Sequence, residues 1–201
     1  MTRSPKAWLA GAVLALCSVL TLSGCATGTD AVATGGGTFD FVSPGGQTTI
    51  RYDPPADRGS IGTLSGDDLM NAGATVGLED FDDQVVVLNL WASWCGPCRG
   101  EALALGEVAA VTYDQGVRFL GLNVKDTPRS GAQDWYTSNK VDYPSIYDPK
   151  MRSVIALGSF PTSVIPSTIV LDREHRVAAV FLKALTAEEL QPVVEEIAAE
   201  Q

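Results

Sequence analysis

Positive charge is scarce in this sequence. Lysine and arginine total 14 against 24 aspartates and glutamates, a formal net charge of −10. Nucleic acid is therefore not an expected partner, because phosphate backbones are held by basic surfaces. Histidine is nearly absent: His175 stands alone, in a stretch that reads as an exposed hairpin turn. Cysteine is rare as well, with four residues at positions 17, 25, 95 and 98. A structural zinc site takes about four nitrogen or sulfur ligands. Cys95, Cys98 and one histidine do not supply them, so no metal and no cofactor are expected. Internal repeats are missing too. What remains is the composition of a folded chain, 45% hydrophobic over 201 residues. That suits one domain with a leader and a linker.

The first 24 residues differ from the rest. Arg3 and Lys6 make a positive start, and Ala7 to Leu22 then runs for 16 residues without charge. That is short of the about 20 residues a spanning helix needs. A basic head, an apolar run and small residues before a cut form a secretory leader, with an uncleaved anchor as the competing reading. Leu22-Ser23-Gly24-Cys25 resembles a bacterial lipobox, which implies lipidation at Cys25. Residues 25–38, small, polar and ending in a triple glycine, read as a flexible tether. The folded domain is expected over 39–201.

Within that domain, Thr48 to Tyr52 and Thr75 to Leu78 suggest short strands. Val85 to Leu90 is nearly continuously apolar, as in a central strand covered on both faces. A helix follows Cys95, with Cys98, Glu101, Leu105, Val108 and Thr112 on one stripe, and Gly116 stops it. Val117 to Val124 is a second buried strand. Ser130 is expected to cap a helix running to about Asn139, and Pro149 to Leu157 to form a short helix closed by Gly158. Thr168–Leu171 and Val177–Leu182 make a hairpin. Thr186 and Glu189 then open a last helix with Leu190, Val193, Val194 and Ile197 on one face. The pattern predicts an α/β fold, a central mixed sheet flanked by helices that can cover both its faces, with an N-terminal β extension.

Trp91-Ala92-Ser93-Trp94-Cys95-Gly96-Pro97-Cys98 joins the best strand to the best helix. A cysteine at a helix start faces unpaired N–H groups and the positive end of the helix dipole. Both favour thiolate, and such settings lower a cysteine pKa from about 8.5 to about 3.5–7.5. Pro97 suits the first turn, where no N–H bond is lost. Two cysteines so close in sequence close too short a loop to stabilise a fold appreciably. Cys95 is expected at an exposed lip as the attacking thiol, and Cys98, on the buried stripe, as the thiol that resolves the mixed disulfide. Glu101 shares that stripe. A partly buried carboxyl there can carry the proton of the leaving thiol, or it can simply sit on the helix dipole. Trp91 reads as core packing and Trp94 as rim.

The segment from Asn89 to Glu101 and the lipobox together resemble the membrane-tethered ResA/TlpA branch of thioredoxin-like proteins, over roughly Phe39 to the C-terminus. The resemblance implies a thioredoxin-like fold and thiol–disulfide exchange at Cys95 and Cys98. Asn89 stands where thioredoxin has a buried aspartate, and Glu101 matches the glutamate of the ResA-like branch. Pro166 matches the family's cis-proline, with Pro161 as rival. In cis it turns the Ile165 backbone toward the disulfide, where a peptide could pair with it. Trp94, Gly96, Pro97, Ile165 and Pro166 are thus the candidate substrate contacts. The implied activity is reduction of disulfides in exported proteins such as apocytochrome c, with electrons from a membrane thiol-transfer protein. A thiol peroxidase and a redox-inactive tethered binding module are the alternatives. The expected state is a monomer anchored outside the cytoplasm.

Overall fold

In the computed structural model, residues 38–200 are described. The leader and tether residues 25–37, Cys25 among them, lie outside that range. The strands are β1 (Thr49–Arg51), β2 (Ser65–Asp67), β3 (Thr75–Gly77), β4 (Val85–Trp91), β5 (Val117–Val124), β6 (Ser145–Asp148), β7 (Ser167–Leu171) and β8 (Val177–Phe181). The helices are α1 (Gly96–Thr112), α2 (Arg129–Ser138) and α3 (Ala187–Ala198).

Six strands form one mixed sheet in the order β1-β8-β7-β4-β5-β6. Strands β4, β5 and β6 run parallel, and β7, β8 and β1 add on antiparallel. β4 is central because every residue in it can be buried: Val-Val-Val-Leu-Asn-Leu-Trp is covered on both faces. Its even-numbered side chains, Val86, Leu88 and Leu90, join Leu120, Leu122, Ile146 and Ile169 in the larger core. Val85 and Val87 instead meet Leu105 and Val108 of α1 and Leu190, Val194 and Ile197 of α3. Trp91 stacks on Trp135 and Tyr136 of α2 at 4.4 and 5.1 Å between ring centroids.

The three α-helices that flank the mixed sheet pack on one of its faces. The other face is closed by the N-terminal segment, through Phe39, Ile50, Tyr52, Leu64, Val76 and Leu78, and by Val154, Leu157 and Phe160. The connections explain this arrangement. α1 and α2 both cross between neighbouring parallel strands in the same direction along the sheet, and right-handed crossovers then land on the same side.

Two local expectations change. Ser130 does not cap α2: the helix begins at Arg129 with Pro128 at the N-cap. Proline has no N–H to satisfy, so it sits before a first turn at no hydrogen-bonding cost. The short helix expected over Pro149–Leu157 is a 3-10 turn at Ser153–Leu157, closed by Gly158 at φ 60°. Asp148, at the end of β6, accepts hydrogen bonds from Ser153 N and Oγ and holds that turn. Strands β2 and β6 had no reading in the sequence. Each is three or four residues long and carries polar residues.

Candidate active site

α1 starts where β4 ends, and the redox pair occupies its first turn. Cys95 is the N-cap, in extended conformation, and Gly96 and Pro97 follow. Cys98 N–H donates to Cys95 Sγ at 3.1 Å. The two sulfurs form a disulfide, with 5.3 Å between the Cα atoms. The Cys95 sulfur thus accepts one first-turn N–H at the helix mouth, the setting that favours a thiolate.

Cys95 was expected at an exposed lip; in the disulfide form it is 4% exposed and Cys98 1%. The reason is packing. Both cysteines belong to a buried cluster with Leu69, Trp91, Ala92, Ala102, Ala132, Trp135 and Tyr136. The exposed surface of the motif comes from Gly96, Pro97 and Trp94, the last at 61%. Trp91 lies in the core beneath, its Nε1–H donating to Ser145 Oγ at 3.1 Å.

Glu101 is 1% exposed, one turn beyond Cys98 on the buried stripe. Its carboxylate accepts from Asn89 Nδ2 at 2.9 Å and from the Leu185 backbone N–H at 3.0 Å. Asn89 also donates to Thr168 Oγ1 on β7. Burial raises the Glu101 pKa to about 7, while the two donors pull it the other way. No cation is bonded to it, so desolvation wins. A carboxyl that titrates near neutrality beside a thiol pair can take and return a proton.

Ile165 is half-buried against the cysteine cluster. Pro166 is buried at the start of β7, and the Ile165–Pro166 bond is cis, as are Asp53–Pro54 and Thr127–Pro128. The bond before Pro161 is not among them. The fold thus brings Cys95, Cys98, Trp94, Glu101 and Ile165 to one end of the sheet. His175 is not fully exposed: it is half-buried, and its Nε2 lies 3.1 Å from the Phe81 carbonyl. Among the described residues, no group of three or more His, Cys, Asp or Glu could hold a metal ion.

The sequence reading missed residues that shape this site. Leu69, in the turn between β2 and β3, packs onto the cysteine cluster. Ser93 and Asp126 bond to each other just before Cys95. The signal for Asp126 was present: Asn123 near the end of β5 and Asp126 just after it are polar residues following a largely apolar run, and both are buried. Beside the motif opens a polar cleft of about 520 Å³ lined by Ser93, Arg99, Asp134, Trp135, Ser138 and Asn139.

A disulfide at the mouth of a helix leaving the central strand of this sheet defines a thiol–disulfide oxidoreductase of the thioredoxin fold. Comparison with known proteins agrees. The Redoxin profile matches residues 57–197, and the chain belongs to that family, in its ResA/TlpA-like part. It is 33% identical over 137 residues to the thiol:disulfide interchange protein DsbE of Allochromatium vinosum, covering 63% of this chain and 69% of that one. It is 27% identical over 120 residues to the thiol-disulfide oxidoreductase ResA of Geobacillus thermodenitrificans, covering 60% and 67%. Among solved structures, a secreted thiol-disulfide isomerase from Corynebacterium glutamicum matches with TM-score 0.78 and 45% identity, over 81% of this chain and 99% of that one. A DsbF homologue from Corynebacterium diphtheriae matches with TM-score 0.74 and 44% identity, over 79% and 99%.

Proposed function

We propose that this protein is an extracytoplasmic reductase of disulfides in exported proteins, tethered to the membrane by lipid at Cys25, with apocytochrome c as a client. The observation that carries the reading is the pairing of a disulfide at the α1 mouth with a buried carboxyl one turn behind it. The names of its relatives support the setting: one is a secreted protein, and others are ResA and DsbE proteins.

The Cys95 thiolate attacks one sulfur of the client disulfide, and the other sulfur leaves as a thiolate that takes up a proton. Glu101 accepts the Cys98 proton. Cys98 then attacks the Cys95 sulfur of the mixed disulfide, and the second client sulfur leaves as a thiolate that takes the proton back from Glu101. The client gains two electrons and two protons, and Cys95–Cys98 becomes the disulfide. A membrane thiol-transfer protein would return the pair to the dithiol. The exposed Trp94, Gly96 and Pro97 and the backbone beside Pro166 would form the rim that a client touches.

Trapping tests this reading. Cys98→Ala leaves the mixed disulfide unresolved, so a client stays attached to Cys95 when cells expressing the variant are lysed in acid. Recovery of exported proteins with paired cysteines, apocytochrome c among them, is the expected result. Recovery of cytoplasmic proteins alone would overturn it.

A further inference from the structure

The turn that presents Cys95 is held from outside its own element. Cys95 N–H donates to Ala92 O at 3.1 Å, closing a turn with Ser93 and Trp94 at its centre. Asp126, in the loop after β5, grips that turn. Its Oδ2 accepts the Ser93 backbone N–H at 2.5 Å, and its Oδ1 accepts the Ser93 hydroxyl at 2.9 Å. Asn123 Nδ2 donates to the same Oδ2 at 3.0 Å and steadies the carboxylate from behind. Next door, Trp94 Nε1–H donates to the Lys125 carbonyl at 3.0 Å.

Two features bear on what this loop does, although left-handed backbone is not peculiar to it: Asp83, Lys140, Met151 and His175 share it. Asp126 is 3% exposed, yet no lysine or arginine is bonded to it; its charge is met by a backbone N–H, a hydroxyl and an amide. Lys125 adopts φ 52°, a left-handed conformation that a side chain with a Cβ enters only at a cost. Such backbone gathers where surrounding structure fixes a functional geometry. Here it aims the Lys125 carbonyl at the indole of Trp94. That ring is 61% exposed and stands beside the attacking sulfur in sequence.

We infer that Asp126 is a positioning residue that sets specificity for protein disulfides, by holding Ser93 and with it the exposed Trp94 ring beside Cys95. The inference rests on thiol–disulfide exchange at Cys95 and not on the identity of the client. It predicts a split between substrates. A protein disulfide needs the Trp94 platform, whereas a small disulfide needs only the sulfur.

The test measures kcat and KM of the full chain, recycled by dithiothreitol, with insulin and with bis(hydroxyethyl) disulfide. Asp126→Ala should raise KM for insulin about tenfold and leave the small disulfide within about threefold. Asp126→Asn should restore insulin turnover to within about threefold, because its amide can keep all three bonds once the Ser93 hydroxyl rotates. Ser93→Ala removes one bond and covers the case in which Asp126→Ala fails to fold; KM for insulin should rise about threefold. Equal losses on both substrates would overturn the inference. So would unchanged insulin kinetics in Asp126→Ala or Ser93→Ala, or an Asp126→Asn variant as impaired as Asp126→Ala. None of these results would touch the client assignment, which the trapping experiment decides separately.

Discussion

Charging Glu101 is expensive because its surroundings are dry. Its pKa lies near 7 in the fold against an ordinary 4.5. The folded protein therefore holds a proton that the unfolded chain releases between those values. The stability linked to this group is fully present below about pH 4.5 and is lost as pH rises through about 7, some 3 kcal/mol in all. Glu101→Gln cannot ionise, and with the Asn89 amide turned over it can keep both hydrogen bonds. Urea unfolding of the oxidised proteins at pH 5 and pH 8 checks this. The variant should gain on the wild type by roughly that amount at the higher pH. On the proposed reaction the same substitution removes the proton acceptor for Cys98. It should slow resolution of the mixed disulfide about 10²-fold near pH 7 and abolish the inflection in the rate profile there.

At the scale of elements, the site depends on how closely β4 and β5 approach. Asn89 pairs with Gly121 and Trp91 with Asn123 across the two strands. A Cβ at Gly121 would lie 2.5 Å from Ser145 Oγ and 2.9 Å from Trp91 Nε1. Gly121→Ala must therefore displace Ser145 and the Trp91 indole bonded to it. A loss of about 1–3 kcal/mol in urea unfolding is expected, with a change in near-ultraviolet circular dichroism from the displaced indole. This requirement could not be seen in the sequence, where Gly121 is one residue in an apolar run; it arises from a cross-strand contact with a residue 24 positions away. By contrast, β4 and the redox pair were plain to read. An uninterrupted apolar strand followed by Cys-Gly-Pro-Cys and a helical stripe is local information. The stripe Cys98, Glu101, Leu105, Val108 and Thr112 is buried as its spacing implied. The β6 strand and the Asp126 contact to Ser93 depend on distant partners and left only weak local marks.

Across the described residues, one buried cation ties the segment after β1 and the residues after α3 to the turn between β7 and β8. Arg58 is 1% exposed. It donates to the Tyr52 carbonyl at 3.0 Å, to Asp172 at 3.2 Å and to Glu200 through two nitrogens. These partners belong to the N-terminal segment, the turn between β7 and β8, and the residues after α3. Arg58→Ala leaves Asp172, itself 3% exposed, with Arg176 as its remaining cation. Breaking a buried pair from one side typically costs about 3–5 kcal/mol, and urea unfolding should show a loss of that order. Insulin reduction by the folded fraction should change little, because none of these groups touches the cysteine cluster.

The central claim is that the start of α1 turns the sulfur of Cys95 into a nucleophile. Alkylation of reduced Cys98→Ala by iodoacetamide, followed as a function of pH, measures this directly, since Cys95 is then the single thiol among residues 38–200. The account predicts a half-maximal rate at least one pH unit below the about 8.5 of an ordinary thiol. A midpoint at or above that value would contradict it.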